Sequence, residues 1–264
     1  MIRPCLSLIF SALCASAQAA DIPVTIYADA GYPPYSYEKD GKPAGLYYEI
    51  VRAAVGRMHG YQVEVQTVPW KRGMALLRTG AAFALYPPYL NTKDEPWTWP
   101  YSLPLYEERV VAVCRKEVLA AKPRKQWPVD FHGLTIGNNA GFIVGGEEFD
   151  QAVRAGLLRV EEGRDSETNI VKLGLKRIDC YINDRVSIQW TLNQLKAQGR
   201  YTNLADVAEA TVIAVKQAYL GYTSRDNGKY TYKSDFVHQF DNAIAQMKRS
   251  GEIDAIVQNF FRTH

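Results

Sequence analysis

The chain has 264 residues, 31 Lys and Arg against 28 Asp and Glu, a formal charge of +3, and 47% hydrophobic residues. This length supports one large or two ordinary domains with formed cores. The near-neutral charge argues against nucleic acid or an anionic membrane surface as a partner.

Residues 1–19 read as a secretory signal peptide. Arg3 gives a weakly positive start, Leu6 to Ala15 a short apolar core, and Ala17-Gln18-Ala19 a small-x-small pattern for cleavage near Ala19/Ala20. The apolar run is shorter than the roughly 20 residues that span a bilayer. Arg3 is the only charge in this segment, so its removal takes the formal +3 to +2. Cys14 follows Leu13 rather than a small residue, which argues against a lipid anchor. The expected product is a soluble periplasmic protein. It keeps two cysteines, Cys114 and Cys180, for which a disulfide and a pair of buried free thiols both fit the sequence.

In chain order, Val24 to Tyr27 is a β-branched strand pattern. It leads into a Gly-Pro-Pro turn carrying Tyr32 and Tyr35, then a Lys-Asp-Gly-Lys-Pro-Ala-Gly hairpin, then a helix with Leu46, Ile50, Val51 and Ala54 on its apolar face. Ligands of open α/β sheets sit beyond the carboxyl ends of strands, so this tyrosine loop is a candidate ligand wall; a stiff loop with half-buried tyrosines is the alternative. Tyr61 to Val68 alternates as a strand, and Pro69-Trp70 opens a helix. The run Ala81 to Tyr86 stops at Pro87-Pro88, which cannot continue a central strand. An aromatic loop with Tyr89, Trp97, Trp99 and Tyr101 follows, and then a strand over Glu108 to Val113. The basic, proline-containing stretch to Pro128 reads as a solvated loop.

Leu134 to Gly137 is a further strand. It breaks into Asn138-Asn139-Ala140-Gly141, a turn able to offer backbone N–H groups to an anion. Strand and helix then alternate through Leu157–Val160, Glu167–Lys176 and Cys180–Ile182, with another helix marked by Ile188, Leu192 and Leu195. After a strand at Val212 to Val215, two amphipathic helices carry Phe236, Phe240, Ile244 and Met247, then Ile253, Ile256, Val257 and Phe260. The class is α/β.

The motifs Tyr32-Pro33-Pro34-Tyr35-Ser36-Tyr37, Leu77-Arg78-Thr79-Gly80, Tyr101-Ser102-Leu103-Pro104-Leu105-Tyr106, Arg177 to Asp184, and Gly251-Glu252-Ile253-Asp254 occur in an order that resembles the extracellular (periplasmic) solute-binding proteins of family 3, polar amino-acid ABC transporter type. The resemblance covers essentially the whole mature chain. It implies a two-lobed periplasmic-binding-protein fold (type II), two Rossmann-like lobes joined by two crossover strands. Lobe 1 would be 20–109 plus 208–264 and lobe 2 would be 110–207, closing on a hinge around one small-molecule solute. It further implies a monomer with an ABC permease of the inner membrane as partner, and no cofactor.

Carried over residue by residue, Tyr32 and Trp70 match the aromatic pair that sandwiches the solute, and Asp184 the acid that binds its amino group. Tyr35, Tyr89 and Glu95 complete the candidate ligand-binding set. The carboxylate side departs from the pattern: Glu95 stands where an arginine is expected before Ser102, Pro87-Pro88 replaces residues that lend N–H groups, and Gly141-Phe142 replaces Gly-Thr or Gly-Ser. Arg72 and Arg109 are the candidate substitutes. If Glu95 and Asp184 both face the cleft, the site is acidic and aromatic and suits a cationic or amine-bearing solute. A Glu95 on the rim, paired with Lys93, is the plainer reading.

The expected function is solute binding for an ABC-type uptake system, the solute an amino acid or related small amine-bearing molecule. The alternatives are an accessory or sensory receptor without a transporter and a cyclohexadienyl-dehydratase-like enzyme. The four histidines, His59, His132, His238 and His264, are scattered without ligand or nucleophile context, so no catalytic residue and no metal ligand is assigned.

Overall fold

The computed structural model describes residues 20–200 and 207–263; the leader with its cleavage point lies outside the described residues. Two five-stranded sheets form two lobes. In the first, β1 (Ile22–Asp29) runs parallel to β5 (Tyr61–Val68) and β6 (Ala84–Tyr86). β13 (Gly221–Thr223) and β7 (Thr98–Tyr101) close the order β5-β1-β6-β13-β7. The last two are short and carry no alternation of their own, which is why the sequence reads β7 as loop and assigns nothing to β13. The second sheet has the order β10-β9-β11-β8-β12, from β8 (Tyr106–Arg115), β9 (Thr135–Asn139), β10 (Arg159–Gly163), β11 (Cys180–Asp184) and β12 (Val207–Ala218).

β8 and β12 pair antiparallel from Tyr106↔Ala218 to Arg115↔Val207 and form the ribbon that leaves the first lobe and enters the second. On β8 the phase is strict at its start: Glu108, Val110, Ala112 and Cys114 are buried, while Glu107 and Arg109 are exposed. Cys114 faces Cys180 in register across β8 and β11, and the two form a disulfide. The bridge decides between the two readings the sequence left open.

Among the described residues eight α-helices pack around the sheets. Helix α1 (Leu46–Val55) buries Leu46, Tyr47, Ile50, Val51 and Ala54, close to the expected apolar face, and packs against α7 (Lys233–Arg249) and α8 (Glu252–Thr263). Around it lies the core of the first lobe, with Ile26, Tyr35, Tyr86, Phe236 and Phe240 fully buried. In the second lobe α5 (Ser166–Gly174) and α6 (Arg185–Ala197) pack on one face of the sheet with Ile170, Leu173 and Ile188. α4 (Glu147–Arg154) covers the other with Phe149.

The basic stretch after β8 is not simply a solvated loop. It contains α3 (Lys116–Ala121), and Arg115 is pinned by Asp179 and Glu117. Among the described residues no helix is long and apolar enough to cross a membrane.

Candidate ligand-binding cleft

The tyrosine loop is held by its neighbours rather than by its prolines alone. It forms a small sheet of β2 (Gly31–Tyr32), β3 (Ser36–Lys39) and β4 (Lys42–Ala44). The carbonyls of Pro34 and Tyr35 then accept the first N–H groups of α1, from Leu46 at 3.0 Å and Tyr47 at 2.8 Å. Gly45 makes this approach possible. Its φ is 114°, and a Cβ there would lie 2.4 Å from the Tyr35 carbonyl oxygen.

The loop thereby turns both tyrosines inward. Tyr35 is 0% exposed and stacks on Tyr47 at 5.2 Å, in the core and outside the cavity. Tyr32 keeps one ring face on the cleft and sends its hydroxyl to Glu108.

Glu108 is the centre of this buried layer. Tyr32 and Tyr47 donate to its carboxylate, and the Tyr89 hydroxyl donates at 2.6 Å. Burial and, second, the nearby Asp184 charge push its carboxyl up to about 8, against the lowering effect of the three hydroxyls. Sequence reading missed Glu108. The available signal was its phase, since it falls on the inward set of β8 with Val110 and Ala112.

Asp184 ends β11 and caps α6. One carboxylate oxygen accepts the Val186 and Ser187 N–H groups at 2.7 and 3.0 Å, and the other accepts the Arg109 N–H at 2.9 Å. It is 1% exposed and lies at the lobe junction outside the cavity lining; burial raises its carboxyl against those three hydrogen bonds.

The cavity, about 40 Å³, lies between the lobes. It has room for a few water-sized groups. Lobe 1 supplies Tyr32, Trp70 from the start of α2 (Trp70–Arg78), Tyr89 and Glu95; lobe 2 supplies the segment from Gly141 to Val144. The two aromatic contributions interlock. The Phe142 ring stands edge-on to Tyr32 (5.3 Å, 87°) and to Trp70 (5.7 Å, 75°), and Trp70 Nε1 donates to the Gly141 carbonyl at 3.2 Å. Further contacts across the cleft are Ser187 Oγ to the Pro33 carbonyl at 2.6 Å, Lys71 with Glu162, and Lys93 with Glu147 at 3.0 Å.

Glu95 is held by a turn in which its N–H donates to the Asn91 carbonyl and its own carbonyl accepts the Thr98 N–H. Its side chain is buried in the cavity wall and not on the rim. Lys93, the partner weighed from the sequence, is paired across the cleft with Glu147, so Glu95 has no ion pair or side-chain hydrogen bond among the described residues. Burial, with the Asp94 charge adding to it, pushes its carboxyl up to about 7.

Neither candidate substitute arginine reaches the cavity; the side chains of Arg72 and Arg109 are exposed. Trp97 lies under the Arg78 guanidinium and Trp99 is 56% exposed, so neither forms a wall. The turn after β9 does not offer its N–H groups to a ligand. Ala140 donates to the Gly163 carbonyl, Gly141 to Glu162 and Phe142 to the Asn139 carbonyl, so the anion at this turn is the chain's own Glu162.

Comparison with known proteins agrees with this architecture. The family profile of the bacterial extracellular solute-binding proteins, family 3, matches residues 24–263. A histidine kinase sensor domain with similarity to periplasmic binding proteins superposes with a TM-score of 0.75 at 16% identity, over 92% of this chain and 97% of that one. An ABC uptake transporter substrate-binding protein from Streptococcus pneumoniae with bound histidine gives 0.68 at 21%, over 90% and 92%. The ancestral amino acid-binding protein AncCDT-1, a precursor of cyclohexadienyl dehydratase, gives 0.67 at 17%, over 90% and 95%. No curated protein matches the chain. At these identities the structural likeness establishes the fold.

Proposed function

Because the chain belongs to the bacterial extracellular solute-binding proteins, family 3, we propose that it is the periplasmic receptor of an ABC-type uptake system. It captures an amino acid or related small amine-bearing solute between its lobes and presents it, as a monomer, to an inner-membrane permease. We assign 20–109 plus 208–264 to lobe 1 and 110–207 to lobe 2; both boundaries fall in or beside the paired strands β8 and β12, where a hinge would act. The carrying observation is the interlobe cavity, whose walls come from both lobes and combine Tyr32, Trp70 and Tyr89 with one unpaired carboxylate, Glu95. Such a cavity binds by enclosure, and enclosure is what a membrane partner can read.

The test is a thermal-shift and Trp-fluorescence screen of the refolded mature protein, followed by small-angle scattering of any binder. A true solute at a hundredfold excess over Kd stabilises the fold by about 2.7 kcal/mol. It also perturbs Trp70 and is lost in Trp70→Ala. A binder that shifts the melting point but leaves Trp70 emission and its Trp70→Ala affinity unchanged would place the site elsewhere.

A second reading, a sensory receptor without a transporter, draws support from the likeness to a kinase sensor domain. Transport of the identified solute by cells carrying or lacking this protein separates the two. A dehydratase acting on cyclohexadienyl acids fits less well, since among the described residues no basic side chain lines the cavity to receive an anionic substrate.

A further inference from the structure

We propose that the cleft selects an organic ammonium ion that carries no carboxylate, the decarboxylated amine rather than the amino acid, with Glu95 as its counter-ion and Tyr32, Trp70 and Tyr89 as its aromatic walls. The inference rests on the reading of this cleft as the solute site and narrows its substrate class.

The attraction is built from Glu95. Glu95 is 9% exposed, lines the cavity, and its side chain has no hydrogen-bond or ionic partner among the described residues. A carboxylate buried without a partner is among the least favourable arrangements in a protein, and an entering cation supplies what is missing. Three aromatic residues stand on the same wall, and aromatic faces attract ammonium groups directly.

The exclusion of a carboxylate is equally built. Its recognition calls for an arginine fork, a lysine, or converging backbone N–H groups. Arg72 and Arg109 are exposed and outside the cavity, and Lys71 and Lys93 are paired with Glu162 and Glu147. On lobe 2 the N–H groups of Ala140, Gly141 and Phe142 already have acceptors within the lobe, which leaves only the successive N–H groups of Ile143 and Val144 along the cavity, without a cation beside them. On lobe 1 the cavity wall contains Pro87, which has no N–H. The Trp70 indole N–H and the Tyr32 and Tyr89 hydroxyls donate to Gly141 and Glu108. Asn91 contributes a neutral amide. A solute carboxylate would meet the charge of Glu95 with no cation to offset it.

Phe142 sets the size. It fills the space between Tyr32 and Trp70 and leaves about 40 Å³ beside Glu95, enough for an ammonium headgroup with a slender stem. Bulkier amines require this ring to turn aside.

Isothermal titration at pH 8 in phosphate tests the class with matched pairs: ethylamine against alanine, isoamylamine against leucine, phenethylamine against phenylalanine, cadaverine against lysine. At least one amine should bind about a hundredfold or more tighter than its parent amino acid, since a buried charge paired on one side only is worth at least that much discrimination. Glu95→Gln should lose about the same factor with unchanged circular dichroism and melting cooperativity. An amino acid that binds as well as its amine overturns the class and leaves the cleft reading intact. Wild-type amine affinity in Glu95→Gln overturns the counter-ion. Failure of every member of both series overturns the class and the amino-acid reading together.

Discussion

Replacing Glu108 by glutamine should make the protein more resistant to alkali, and the size of the effect follows from its surroundings. The carboxyl sits at about 8 in the fold, against an ordinary 4.5. Below pH 4.5 it is neutral in both states and its burial carries no ionic penalty. As pH rises the unfolded chain ionises first, so stability falls until the folded carboxyl also ionises near 8. The full loss is about 5 kcal/mol, of which about 2.5 kcal/mol falls between pH 6 and pH 9. Glutamine keeps the shape, can still accept tyrosine hydroxyls at its oxygen, and never ionises. Urea unfolding of wild type and Glu108→Gln at pH 6 and pH 9 isolates the effect, because the upward-shifted Asp29 and Glu95 are common to both chains. The stability difference should move by about 2.5 kcal/mol in favour of the variant at pH 9. A difference that stays constant across that range would refute the buried, high-pKa carboxyl and leave Glu108 an ordinary ionised acceptor.

Binding of a cationic amine should weaken as pH falls from 8 to 5.5, since Glu95, at about 7 when unoccupied, becomes protonated. The titratable groups whose charges couple to it are Asp94 and Tyr101, both on its own segment; titration calorimetry in buffers of differing ionisation enthalpy should show proton release below pH 7. Loss of the bridge in the double variant Cys114→Ser, Cys180→Ser should lower stability by about 4 kcal/mol from loop closure over 66 residues, read by urea melts with and without reductant. Phe142→Ala should cost about 1–2 kcal/mol, less than a fully buried aromatic because the ring is only half-buried. In the same variant phenethylamine should gain affinity relative to ethylamine, and an unchanged ratio would place the size limit elsewhere.

The long periodic elements were legible from the chain alone. α1, α7 and β5 announce themselves by spacing, and Pro87-Pro88 marks the end of β6 because proline cannot extend a sheet. β7 and β13 escaped, being held by neighbours rather than by any pattern of their own. In the site, Trp70, Tyr32, Tyr89 and Glu95 all reach the cavity, whereas Tyr35 is turned into the core by the close approach at Gly45. Asp184 shows the limit of residue-by-residue transfer: an acid before a helix reads equally as a ligand group and as a cap, and only coordinates show three backbone N–H groups on it. Glu108 and its three tyrosines converge from four separate segments, and no local pattern encodes a meeting of that kind.

The two ion pairs that span the cleft have the same polarity. Lys71 and Lys93 belong to the first lobe, Glu162 and Glu147 to the second. A parted cleft would therefore present a basic lip facing an acidic one, and the closed molecule neutralises both. On the proposed receptor role, in which the lobes part when the cleft is empty, the difference between empty and filled would be displayed on the outside as an electrical pattern that appears and vanishes. A membrane protein resting across both lips could sense occupancy without touching the solute, and added salt would blur that message before it loosened the aromatic contacts beneath it.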